Sequence, residues 1–208
     1  MLDYLSGAVR MSLVTFVLCG FAYPLAVTGA GQLLMPYRAN GSVEQGADGR
    51  IIGSRLIGQF WRDPQWFHGR PSATVAPDPK DPGKNVEAPY NAANTTASNL
   101  GPTSRALQER LTVDRRALEA EQPELTGKPL PADMLTASAS GLDPDITPAN
   151  ALLQAARVAK ARGAAPEQIA ALVEQHVTPR SLGILGEPRV NVLELNLALE
   201  KAFAKKPE

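Results

Sequence analysis

Between Arg10 and Arg38 the chain carries no Asp, Glu, Lys or Arg, and the stretch Met11–Met35 within that gap reads MSLVTFVLCGFAYPLAVTGAGQLLM. A helix of this length rises roughly 37 Å at ~1.5 Å per residue, enough to cross a hydrocarbon core of ~30 Å with some tilt. Backbone amides find no water inside a bilayer, so a lone apolar run there has to be helical. Pro24, in the middle of the run, predicts a slight kink of a kind that membrane helices tolerate. Gly20, Gly29 and Gly31, with Ala22, Ala26 and Ala30, give small surfaces on which another helix packs closely. The three glycines are therefore candidate contacts to a partner helix. A secretory leader has an apolar core of only ~7–15 residues. This run is longer, although Thr28–Gly31 is small enough for cleavage. A helix buried in a soluble domain fits worse, because no face of the run carries charge.

The residues after the run suffice for one domain with a core and are too few for two comfortable ones. Lys plus Arg and Asp plus Glu both number 21, so no net field draws nucleic acid or an acidic partner. Cys19 is the only cysteine and lies inside the run, so the remainder forms no disulfide and binds no metal through sulfur. Aromatics are scarce at 5%, against 18 Pro and 17 Gly, which predicts a loop-rich domain cored by Leu, Val and Ala. The expected organisation is α+β. A short lead spans residues 1–10 and a single transmembrane helix 11–35. A connector spans 36–49, and a soluble domain with a small sheet and three or four helices spans 50–208. Arg10 stands before the run, and Arg38, Arg50 and Arg55 follow it. Counted simply, this mildly favours a cytoplasmic C-terminal part, but long domains translocate largely regardless of charge.

Along the chain, Arg50–Trp61 mixes β-branched and aromatic residues with two glycines and reads as a bent strand. Pro77–Ala97, almost without large apolar residues, reads as a long irregular loop suited to contact or gating. Ser104 precedes a helix to about Gln122 with Leu107, Leu111 and Leu118 on one face. Pro123–Pro131 reads as a linker and Met134–Ala139 as a short strand. Thr147 before Pro148 is a strong helix start, and Gly163 the matching stop. A second helix opens at Pro166 with Ile169, Leu172, Val173 and His176 on one face, and Pro179 ends it. Asn191 caps a last helix striped by Val192, Leu195, Leu199, Ala202 and Phe203, with Lys205 and Lys206 at its negative end.

Little here suggests chemistry. Nucleophilic catalysis requires a nucleophile, a base and an orienting group held together. His68 and His176 are the only imidazoles; His176 sits on an apolar helical face, and His68 has no accompanying nucleophile signature. Zinc-ligand spacing is missing, and Gly183 and Gly186 are followed by no Lys-Ser or Lys-Thr pair that would complete a phosphate loop. Asp143 and Asp145 flank Pro144 in what reads as an ordinary turn. Arg70, Arg157 and Arg189 suit internal ion pairs or carbonyl contacts better than partner contacts. Arg70, Asp143 and Arg189 nonetheless join the candidate partner-interface residues.

Five segments in order carry a resemblance: GRPSA (Gly69–Ala73), SNLGPTS (Ser98–Ser104), SGLDPDITPA (Ser140–Ala149), ARVAKARG (Ala156–Gly163) and GEPRVNVLELNLAL (Gly186–Leu199). Together with one N-terminal span, the chain resembles the KdpC family, subunits of the bacterial Kdp potassium-transporting P-type ATPases. It departs from the family's SGSGLDPHIS pattern at Ala139 and Asp145. The resemblance implies a non-catalytic accessory subunit of a high-affinity potassium uptake complex in the inner membrane. Its implied partners are a channel-like potassium-translocating subunit, a P-type ATP-hydrolysing subunit, a small single-span subunit and the lipid bilayer. ATP and potassium then belong to the complex, with no cofactor assigned to this chain. The resemblance further implies a catalytic chaperone that raises the pump's affinity for ATP, with its soluble domain outside the cytoplasm. A domain on that side acts on nucleotide affinity only by biasing a conformational equilibrium through the membrane. The alternatives from other classes are a membrane-anchored exported hydrolase built on His68 and a stand-alone binding module.

Overall fold

The computed structural model describes residues 2–46 and 48–203 and divides the chain into two units, Met1–Ile52 and Gly53–Glu208. In the first unit, α1 (Leu2–Val17), a π-helical turn (Leu18–Ala22) and α2 (Tyr23–Leu34) run on without leaving helical dihedrals. Helix therefore already begins within the lead read as residues 1–10. The wide turn has a local cause. Pro24 has no N–H to give to the carbonyl of Gly20, and its ring crowds that carbonyl. The ladder opens just before it, and the Tyr23 N–H bonds to Leu18 O, five residues back. Tyr4–Leu34 is long and apolar enough to cross a membrane, and none of it is buried.

The helix stops at Met35 (φ −149°, ψ 61°), which the following proline excludes from the helical region. A single turn, α3 (Pro36–Ala39), follows; its end is tied by the Asn40 amide to Pro36 O at 2.8 Å. The stretch read as a connector also contributes β1 (Val43–Gln45), which pairs with β2 (Ile51–Ser54).

The second unit opens with extended chain and an antiparallel hairpin, β3 (Val75–Pro77) against β4 (Asn85–Glu87). Then come α4 (Arg105–Glu121), two 3-10 turns at Pro123–Leu125 and Ala132–Met134, and β5 (Asp145–Ile146). The chain finishes with α5 (Pro148–Arg162), α6 (Pro166–Gln175), β6 (Val177–Thr178), β7 (Arg189–Asn191) and α7 (Val192–Ala202). β7 lies centrally in an antiparallel three-stranded sheet of order β5-β7-β6, aligning Ile146, Val190 and Val177. The α+β architecture with a small sheet is the one the sequence predicts, with four longer helices among the described residues of this unit.

The helix ends follow local chemistry. Thr147 Oγ1 accepts from the Asn150 N–H at 3.2 Å, with Pro148 at the first helical position. Gly163 closes α5 at φ 65°, where a side chain would be strained. Asn191 Oδ1 accepts from the Glu194 N–H at 3.1 Å to start α7. The core collects Ala155 and Val158 of α5, Ile169 and Val173 of α6, and Leu195 and Leu199 of α7 around Val190 and Phe67.

Several local expectations are corrected. Met134–Ala139 is no strand: Ala132 O accepts from both Leu135 N (3.1 Å) and Thr136 N (2.8 Å), winding the chain into a 3-10 turn. Only Ile51–Ser54 of the Arg50–Trp61 stretch is strand, because the chain then turns and the Gly58 N–H bonds to Leu142 O at 2.9 Å. The Pro77–Ala97 segment contains β4, and its later part is packed: Asn91 Nδ2 donates to Val75 O (2.8 Å) and Tyr90 Oη to Arg70 O (2.7 Å). α6 ends at Gln175 rather than at Pro179, since Val177–Thr178 is drawn into pairing with β7. Ser104 stands at the N-cap of α4 without a side-chain bond, and the leucine stripe of that helix is only half-buried. Lys205 and Lys206 lie outside the described residues.

Candidate functional site

A polar cleft of the second unit surrounds the turn Gly141–Ile146. Arg70 Nη1 donates to Asp143 Oδ2 at 2.9 Å, and Arg189 Nε lies 3.0 Å from Asp145 Oδ2. The two arginines thus clamp the Asp-Pro-Asp turn from opposite strands of chain. A cleft of about 310 Å³ between them is lined by Arg70, Asp133, Asp143, Asp145, Thr147 and Arg189. Of the six candidate interface residues, the structure brings Arg70, Asp143 and Arg189 to this one cleft. Gly20, Gly29 and Gly31 belong to the helix of the other unit.

The cleft is built on a buried carboxylate. Asp133 accepts from Thr147 N (2.7 Å), Thr147 Oγ1 (3.1 Å) and Asn150 Nδ2 (3.0 Å), which locks the start of α5 beneath the turn. Asp145 accepts from Asn191 Nδ2 at 3.2 Å. Burial raises the Asp145 carboxyl above its usual range, and the Asn191 bond and the Arg189 charge oppose that rise. Every charge in this cleft already has a partner inside the chain, the arrangement of a rigid structural element.

No carboxylate oxygen is hydrogen-bonded to the His68 ring, although the charges of Glu121 and Asp63 reach it. Its Nε2 lies 3.2 Å from the backbone oxygen of Asp63 and 3.5 Å from Arg157 Nη1. Burial, reinforced by the Arg157 guanidinium, holds its pKa below the ordinary imidazole value. Arg157 in turn is nearly enclosed, donating to Pro64 O (2.6 Å), Trp66 O (3.0 Å) and Gln154 Oε1 (2.7 Å). His176 terminates α6, with Nδ1 donating to Leu172 O at 2.8 Å. Both imidazoles therefore hold the chain in place. Among the described residues no three His, Cys, Asp or Glu side chains group to hold a metal ion.

Two features escape a reading of the sequence alone. Asn196 and Gln154 reach from α7 and α5 to grip the backbone of Phe67 and His68; the available signal is an amide on an otherwise apolar helical face. The other is an uncharged hairpin turn, Ser181–Leu185, closed by Ser181 N→Leu185 O (2.8 Å) and Leu185 N→Ser181 O (2.9 Å). No periodicity announces it.

The sequence profile of the family described as KdpC, the K+-transporting ATPase c chain, matches residues 5–201. The potassium-transporting ATPase KdpC subunit of Bradyrhizobium diazoefficiens is 54% identical over 205 residues, covering 99% of this chain and all of that protein. The KdpC subunit of Rhodopseudomonas palustris is 55% identical over 203 residues, covering 97% and 98%. That of Methylobacterium nodulans is 51% identical over 205 residues, covering 99% and 100%. Identity at this level over the whole length, span and soluble domain together, means that the chain belongs to the KdpC family.

Proposed function

We propose that this chain is the membrane-anchored, non-catalytic accessory subunit of an ATP-driven potassium uptake complex. The observation that carries the reading is the 31-residue apolar helix Tyr4–Leu34, in which no residue is buried. Such a helix needs lipid, and its small residues suit close approach by partner helices. Gly20, Gly29 and Gly31 are the contacts assigned to a channel-like or P-type subunit in the cell membrane. The soluble domain stands outside the cytoplasm. From there it raises the pump subunit's affinity for ATP by favouring one conformation of the assembled complex, a coupling of the kind that links distant sites. The half-buried His68, engaged by a carbonyl and a guanidinium, weighs against a hydrolase.

The test is expression of the full chain with the other three subunits. The reading expects co-purification in mild detergent, a lower ATP KM in membranes containing the chain, and protease cleavage of its C-terminal part in sealed spheroplasts. A chain that purifies alone without detergent and turns over a substrate by itself overturns the accessory role. Protection of the C-terminal part until the spheroplasts are lysed overturns the topology.

A further inference from the structure

In the hairpin turn Ser181–Leu185, Leu182 is 88% exposed, Ile184 74% and Leu185 57%, which puts three exposed aliphatic side chains on one short turn. Aliphatic side chains exposed together, rather than singly, mark a surface that another molecule covers. The turn is also stiff. Besides its two closing bonds, the Gly183 N–H bonds to Arg180 O (3.1 Å) and the Ile184 N–H to Ser181 O (3.3 Å). Leu182 is held at φ 55°, a left-handed conformation in which leucine is strained. A strained, pre-formed projection loses little freedom when it docks.

Electrostatics selects the partner. Residues 181–186 read SLGILG and carry no charge. The charges at the base are matched in pairs: Arg180 to Glu187 at 2.6 Å and Arg189 to Asp145 at 3.0 Å. An anionic lipid surface is recognised by free cations, and the base of this turn offers none. A neutral aliphatic tip on a neutralised stem is complementary to a neutral aliphatic recess in a protein.

We infer that Leu182, Ile184 and Leu185 insert into an aliphatic recess on another subunit of the potassium-transporting ATPase and dock the soluble domain onto it. This rests on the accessory-subunit reading above. It adds which surface of the domain makes contact and by what chemistry.

The experiment uses the full chain in the co-expressed complex, with Ile184→p-benzoylphenylalanine as photo-crosslinker, irradiated in membranes and the adducts identified by mass spectrometry. The expected result is an adduct with another ATPase subunit. Its yield should fall at least about tenfold when Leu182→Ser and Leu185→Ser are added, since each removes a buried aliphatic contact. It should not fall when salt rises from ~0.1 M to ~1 M, where screening would abolish a charge-led contact. Adducts only with phospholipid, only with a second copy of this chain, or none at all, in a complex that still co-purifies, overturn the docking assignment and leave the accessory role standing. If the unsubstituted chain does not co-purify with the other subunits, the accessory role itself fails and the docking assignment with it.

Discussion

The side-chain amide of Asn196 pairs with the backbone of Phe67 as a neighbouring β-strand would. Asn196 Oδ1 accepts from the Phe67 N–H at 2.9 Å, and Asn196 Nδ2 donates to the Phe67 carbonyl at 3.0 Å. Both residues are wholly buried. One residue further on, Gln154 does the same for His68, accepting at 2.8 Å and donating at 3.0 Å. Two helices thus hold an extended segment that has no strand beside it, which explains how Phe67 enters the core without leaving its peptide groups unsatisfied.

Replacing Asn196 by Leu leaves a buried N–H and a buried carbonyl without partners, each costing about 1–3 kcal/mol. The expected loss is about 2–5 kcal/mol of domain stability, read from the denaturant midpoint of the full chain in detergent. A midpoint within error of the unsubstituted chain would mean that Phe67 finds other partners.

His68 gives a pH dependence of definite sign. Burial and Arg157 lower its pKa below 6.5, so below that pH the unfolded chain binds a proton that the folded chain resists. Its contribution to stability is complete above 6.5 and is lost as pH falls from there toward its folded pKa. The raised Asp145 carboxyl works in the opposite direction, favouring the folded chain at low pH. His68→Gln should therefore lose less stability than the unsubstituted chain between about pH 7 and about pH 5. Parallel curves for the two proteins would remove the imidazole from this account.

Gly58 lies where a side chain has no room. A Cβ there would fall on the Tyr90 ring and 2.6 Å from the carbonyl oxygen of Asp143. Gly58→Ala should cost about 1–3 kcal/mol as overpacking. The same change in a Tyr90→Ala background should cost less, because one of the two obstacles is gone. Equal costs in the two backgrounds would assign the strain to Asp143 alone.

Gly29 separates partner packing from the chain's own folding, since a Cβ added to it meets nothing within 4 Å. Gly29→Ile should leave insertion of the chain into membranes unchanged and cut its co-purification with the complex by about tenfold, as a close helix approach is blocked. Undiminished co-purification would place the partner helix on another face.

The long helix and the starts of α5 and α7 were legible in the sequence because each depends on neighbouring residues: an uncharged run, Thr147 before Pro148, and Asn191 before an apolar stripe. The α+β class followed from the same signals. Of the small strands only β2 was legible, inside the longer stretch Arg50–Trp61. β5, β6 and β7 hold two or three residues each and exist because distant segments meet, with Val190 joining Ile146 and Val177 across the chain. Met134–Ala139 has the composition of a strand, but the Ala132 carbonyl collects its amides first. Arg70, Asp143 and Arg189 stood out in the sequence only as candidate partner contacts. That Asp143 and Asp145 would each be matched to an arginine around one proline was beyond any spacing argument.

The opened turn at Leu18–Ala22 alters how the membrane segment presents its sides. A turn that takes more residues to go round once rotates everything after it away from a uniform wheel of about 100° per residue. Phe16 is counted before that offset, Gly20 lies within the opened turn, and Ala26, Gly29 and Gly31 come after it. Side chains that a regular helical projection draws as one continuous seam therefore point in two directions, so two different neighbours can be gripped by the two halves of a single rod.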